Sequence, residues 1–280
     1  MATSAVRRRT RRARYAARGA AGSPVMRGLA RAGLLARGAM YILIGWIAIL
    51  IAAGSSSQQA DRSGALHTVA GTRFGGALLW LLFAGFAGLA LWRLSEAAYG
   101  SPGSGGRKAT ARLQSLGRAL IYGFVAYGTL KYALGAGAPQ STNTQSVDLT
   151  ASAMRHPGGQ VLVVIAGLAL IAGGAYLAWQ AWRREFLRTL ETGRMRARTR
   201  RVVEWLGLIG GIARGIVFAT AGVFLVIAAV KSQPQQAKGI DSALRTLAAT
   251  PFGPLVLVVV AIGLIMFGLF SCCQARWFRS

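Results

Sequence analysis

GLLARGAMYILIGWIAILIAA, residues 33–53, runs 21 residues with Arg37 as its single charged side chain. A bilayer core about 30 Å thick is crossed by roughly 20 apolar residues rising about 1.5 Å each, so this stretch reads as a transmembrane helix. Five further runs of that length follow: Phe74 to Leu94, Leu116 to Ala136, Gly158 to Trp179, Leu206 to Val230 and Phe252 to Cys272. Each is bounded by Gly, Ser, Pro or charge-rich sequence. Lys131 interrupts the third, about one turn from its outer end, where a lysine can snorkel to the interface. The reading is an all-α polytopic membrane protein, six transmembrane helices as three tandem helical hairpins.

Composition agrees. Of 280 residues, 54% are hydrophobic and 14% charged, with a mean hydropathy of +0.45, too little polar surface for a water-soluble fold. The formal net charge of +26, from 33 Lys and Arg against 7 Asp and Glu, calls for an anionic partner. Cys272 and Cys273 are adjacent, and two adjacent cysteines imply neither a disulfide scaffold nor a thiolate metal cluster. At the end of the last span they suit acylation or metal capture, or serve simply as small apolar residues. The Arg-rich start, Arg7 to Arg18, has the look of a targeting peptide, but the apolar run after it begins only near Leu34 and is long enough to span. It reads as a retained cytoplasmic segment.

Lys and Arg placement orients the chain. Residues 1–32 carry nine arginines and no acidic residue; Arg107, Lys108 and Arg112 fall between the second and third spans, and eight arginines from Arg183 to Arg201 between the fourth and fifth. The alternate connections are poor in charge. Every basic cluster lies on one side only if the span number is even and both termini are cytoplasmic. The expected segments are a basic, disordered 1–32, membrane repeats at 33–100, 116–182 and 205–280, and cytoplasmic linkers at 101–115 and 183–204.

An internal repeat emerges at a period of roughly 80 to 100 residues. Arg37 and Tyr41 match Arg118 and Tyr122, then Arg214 and Phe218, an arginine followed four residues later by an aromatic. Ala36-Arg37-Gly38 with Gly45 answers Ala213-Arg214-Gly215 with Gly222. The outer connections hold Asp61, Asp148 and Asp241, and the even spans end in Glu96-Ala97, Gln180-Ala181 and Gln274-Ala275. On these residues the chain resembles the bacterial domain-of-unknown-function family 1206, described as six-helix membrane proteins of three two-helix repeats. The resemblance implies architecture and carries over no functional residue, because the family has no assigned activity.

The repeated residues admit two readings each. Arg37, Arg118 and Arg214, with Tyr41, Tyr122 and Phe218, either snorkel to the head groups or converge on a pseudo-threefold axis as a pocket for a phosphate or anionic head group. Glu96, Gln180 and Gln274 are expected to clasp the neighbouring arginine within each unit rather than handle protons, since two of the three are amides. Asp61, Asp148 and Asp241 are expected to cap short outer helices, with Leu244 and Leu247 facing lipid; the alternative is a carboxylate ring at a pore mouth. Gly207, Gly211, Gly215 and Ala219 form a packing stripe for another helix.

No catalytic residue, cofactor or metal site is indicated: the spans hold no acidic residue away from their ends, and His67 and His156 fall in outer connections. The expectation is a multi-pass protein of the bacterial inner (plasma) membrane, not an enzyme, acting as a scaffold or accessory subunit. The alternative is a small anion or lipid transporter or channel using the three arginines. Its partners are the lipid bilayer, anionic head groups held by the basic segments, and an unidentified protein; nucleic-acid contact has no aromatic interleaving or fold behind it.

Overall fold

Long apolar runs separated by short, cap-rich connections fold into helices whose backbone hydrogen bonds are satisfied internally. The computed structural model describes residues 24–55, 58–100, 109–137, 140–248 and 252–277. These form nine α-helices: α1 (Pro24–Ala52), α2 (Arg62–Ala70), α3 (Gly75–Tyr99), α4 (Ala109–Ala133), α5 (Thr142–Met154), α6 (Gly159–Trp182), α7 (Ala197–Val230), α8 (Ile240–Ala248) and α9 (Gly253–Arg276). No β-strand occurs among the described residues. Each repeat is thus long, short, long, two long helices with a short helix in the connection where a short outer helix is expected.

Five helices, α1, α3, α6, α7 and α9, are long and apolar enough to cross a membrane. The 25-residue α4 matches them in length and falls short in hydropathy. Its polar residues explain why: Ser115 and Thr129 are buried toward the protein, Thr129 Oγ1 donates to the Val125 carbonyl at 2.8 Å, and Arg118 turns inward. The expected basic segment also differs, since α1 already begins at Pro24; residues 1–23 lie outside the described residues.

The closest helix pairs join successive repeats. They are α3 with α4, α6 with α7, and α9 with α1, which closes the cycle. Small residues at equivalent places allow the approach. A Cβ on Gly38 would come within 2.8 Å of the Gly268 carbonyl, and one on Gly45 within 2.7 Å of the Ala261 carbonyl. Between α6 and α7 the same places are Gly215 against Gly174 (2.6 Å) and Gly222 against Gly167 (2.8 Å). On α4 they are the buried Ala119 and Ala126. Gly207 and Gly211 meet Phe186 and Ala181, so the stripe from Gly207 to Ala219 is a packing face against α6 and its following turn.

Within repeats the pairing is unequal. Helices α1 and α3 pack together, as do α7 and α9, whereas α4 and α6 make at most a glancing contact. The second repeat is therefore not a closed hairpin.

The short helices α2, α5 and α8 gather at one end, here the cap end; the opposite end, carrying Arg37, Arg118 and Arg214, is the basic end. Asp61 caps α2 by accepting from the backbone N–H of Ser63 (2.8 Å) and Gly64 (3.2 Å), and it also accepts from Thr142 N–H (2.7 Å) and Thr142 Oγ1 (2.8 Å) of the second repeat. Thr142 Oγ1 and Asn143 Oδ1 accept from Ile240 and Gly239 of the third repeat at 3.2 Å each. Asp241 returns to the first repeat, accepting from Ala60 N–H at 2.7 Å. These bonds stitch the three repeats into a ring. Beneath it Ile44, Ile47, Leu66, Leu244, Ala126 and Val217 fill the middle of the molecule.

Candidate functional site

The outer carboxylates divide by position. Asp61 is the expected N-cap, and it is fully buried. Asp241 instead lies inside the first turn of α8 and serves the neighbouring repeat, while Asp148 is exposed in the interior of α5, whose N-cap is Ser141. The expected set of three caps thus reduces to one. Leu244 faces the core, 1% exposed, against the expected lipid contact, because α8 tucks beneath the ring; the Leu247 side chain lies outside the described residues. Arg62, on α2, lies over Phe124 of α4 at 5.2 Å; burial pushes its guanidinium below the ordinary value and nearby Asp61 opposes that shift.

At the basic end the three repeat arginines come together around Tyr122. Arg37 is buried, 9% exposed, and does not snorkel. Its Nε donates to Ser271 Oγ (3.1 Å), one terminal nitrogen to Gln274 Oε1 (2.7 Å) and the other to the Tyr122 hydroxyl (3.3 Å). Arg93 joins them, and Arg118 stands within electrostatic range of Arg93, Arg214 and Arg37. Arg93 had carried no signal in the repeat comparison, because no other repeat has an arginine there. Four guanidinium groups therefore crowd one region, and Glu96, bonded to Arg93 at 2.7 Å, is the carboxylate paired with them among the described residues.

The expected clasp within each unit is not what forms. Gln274 reaches Arg37 of the following repeat in the cycle, and Glu96 accepts from Arg93 on its own helix and weakly from Ser115 of the second repeat (3.4 Å). Gln180 turns to Glu185 at 3.4 Å. The reason lies in the packing above: α9 presses on α1 of the next repeat in the cycle, so Gln274 faces Arg37, whereas Glu96 is taken by Arg93 and Gln180 by Glu185.

Aligning the repeats on Glu96, Gln180 and Gln274 shows how the arginines differ. The position of Ser271, which accepts from Arg37, is Arg93 in the first repeat, within electrostatic range of Arg118, and Leu177, which offers no acceptor, in the second. Among the described residues neither Arg118 nor Arg214 donates a hydrogen bond, and the buried Nε atoms of Arg93 and Arg214 have no acceptor. Arg214 rests on aromatic faces, 5.0 Å from Phe267, 5.4 Å from Phe218 and 5.9 Å from Tyr41. Tyr41 in turn packs edge-on against Phe267 at 4.8 Å. Like charges about 6 Å apart repel by about 3 kcal/mol at an effective dielectric of about 20, so such a group is costly without an anion.

The comparisons with known proteins agree with the threefold design. Residues 32–100, 104–184 and 209–277 each match the family described as Domain of Unknown Function (DUF1206), and the chain belongs to that family. It is 30% identical over 250 residues to the "Uncharacterized protein YxxB" of Bacillus subtilis (strain 168), covering 89% of this chain and 90% of the relative. No solved structure matches it.

Proposed function

We propose that this member of the family is a non-enzymatic, multi-pass protein of the bacterial inner membrane that binds a phosphate-bearing anion at Arg118 and Arg214. The observation that carries the reading is that among the described residues neither Arg118 nor Arg214 donates a hydrogen bond, with Arg214 Nε buried and unpartnered, in a group of four arginines around Tyr122 paired with one carboxylate. Guanidinium forks match phosphate oxygens in geometry, and a site shielded from water strengthens the contact. Arg37, already bonded to Ser271, Gln274 and Tyr122, acts as the fixed wall of the site.

In this reading α4 is the sixth span. At about 1.5 Å per residue it is long enough, and its close packing on α3 supports a crossing. An even number of spans then keeps all the basic stretches on one side, which supports two cytoplasmic termini. The stitched ring of α2, α5 and α8 and the filled middle favour holding the anion over passing it through the membrane.

The test is binding of inorganic phosphate, glycerol phosphate and phosphatidylglycerol to purified protein, by calorimetry in detergent and by native mass spectrometry. At least one should bind to wild type and lose tenfold or more in affinity in Arg118→Gln/Arg214→Gln. Equal binding by both proteins would end the proposal. A counterflow of labelled phosphate into sealed vesicles would replace it with transport.

A further inference from the structure

The unclosed second repeat exposes two faces that its sister repeats bury. Helix α3 covers Leu82, Gly85, Leu89 and Trp92 against α1, and the equivalent Val260, Gly263, Phe267 and Phe270 of α9 are buried in the same way. The corresponding residues of α6, Ala166, Ala169, Gly173 and Tyr176, are all exposed. The partner face repeats the pattern. Gly33, Ala36 and Met40 of α1 are buried, as are Gly210, Ala213 and Val217 of α7, yet Gln114, Gly117 and Ile121 of α4 are exposed. A Cβ built on Gly117 or Gly173 meets nothing within 4 Å. Two helix faces, apolar apart from Gln114, thus stand uncovered and apart as the two sides of a cleft between α4 and α6.

The cleft ends at the arginines. On α4, with about 100° per residue, Arg118 lies between the bare positions Gln114 and Ile121 on one side and the inward positions Ser115 and Tyr122 on the other. It therefore stands on the lip of the cleft while remaining within electrostatic range of Arg37, Arg93 and Arg214. Apolar walls leading to a positive head region have the polarity of one lipid molecule, tail to head. A peptide helix seated there would have to bring a matching anion to the same depth, and a free anion would leave both walls bare.

We infer that the cleft between α4 and α6 seats the acyl chains of a diacyl anionic phospholipid whose phosphate is held by Arg118 and Arg214. The inference rests on the phosphate reading above and adds the source of that phosphate. It also gives the broken hairpin a use: the lipid slides in sideways from the leaflet, completing the interface that protein alone completes in the first and third repeats.

Phosphatidylglycerol with long chains and glycerol phosphate, which shares its head but has no chains, separate the two claims. Ala169→Trp/Gly173→Trp fills the cleft, and Leu269→Trp places a tryptophan on the exposed surface of α9 as control. The cleft variant should bind phosphatidylglycerol at least tenfold more weakly than wild type or Leu269→Trp, with glycerol phosphate binding unaltered. Unchanged phosphatidylglycerol binding would overturn the cleft and leave the arginine site standing, whereas loss of neither ligand in Arg118→Gln/Arg214→Gln would remove the premise. Wild-type protein supplies a second measurement that needs no variant. A phosphatidylglycerol with a mid-chain diazirine should label 114–121 and 166–176 preferentially after illumination. Label spread evenly over the apolar surface, or a native dimer dissolved by the tryptophan pair, would refute the proposal.

Discussion

Arg37, Arg118 and Arg214 hold equivalent places in three repeats, yet their surroundings give them opposite energetics. Arg37 makes three side-chain hydrogen bonds, so Arg37→Gln strands Ser271, Gln274 and Tyr122 in a buried setting and should cost about 2 to 4 kcal/mol. Arg118→Gln removes repulsion from three other arginines and breaks no hydrogen bond among the described residues, so it should leave the melting temperature in detergent unchanged or raised. Thermal unfolding of the two variants side by side checks this; equal losses would refute the division. Asp61 offers a parallel case at the cap end. Asp61→Asn turns one acceptor oxygen into a donor facing the N–H groups of the cap or Thr142 and should destabilise by about 2 kcal/mol, measured by the same melts.

At the scale of helices, the small residues sort by what a side chain would meet. Gly215 and Gly174 face each other's carbonyls, so Gly215→Leu should abolish the α6–α7 contact and with it the yield of folded monomer on size-exclusion chromatography. Gly211 faces only the Ala181 side chain at 2.5 Å, so Gly211→Ala should be milder. Gly123 on α4 has nothing near it, and Gly123→Ala should be neutral or stabilising by up to about 1 kcal/mol through helix propensity alone. The spacing of these residues was legible in the chain, because Gly38 and Gly45 repeat as Gly215 and Gly222. Which helix each stripe would meet was not, since a four-residue spacing names a face and no partner. The short helices α2, α5 and α8 were legible from their connection residues, but their lengths of nine to thirteen residues were not, since segments of mixed polarity carry no clear end signal.

For the whole molecule, the proposed topology makes a sharp demand on α4. A reporter enzyme that is active only after export should be active when fused after Lys231 and inactive when fused after Arg196 or at either terminus. Activity at one terminus alone would mean that α4 does not cross, leaving five spans among the described residues. Removal of the cap ring tests its role in holding the repeats together: Thr142→Val deletes bonds that link all three repeats and should lower the melting temperature by several degrees.

Periodicity and hydropathy by themselves determined the helical class, the number of the repeats and the equivalence of the three arginines, because these depend on local free energies that each segment carries alone. The family follows from the same residues. Tertiary structure decided that successive repeats pair more closely than the two halves of one repeat, and so moved the clasp of Gln274 across a repeat boundary to Arg37. It also brought Arg93 into the cluster, left Arg118 and Arg214 without acceptors among the described residues and parted α4 from α6. Those are consequences of which faces meet, and a face's partner is set by the competition among all six long helices for contact, which no single segment encodes.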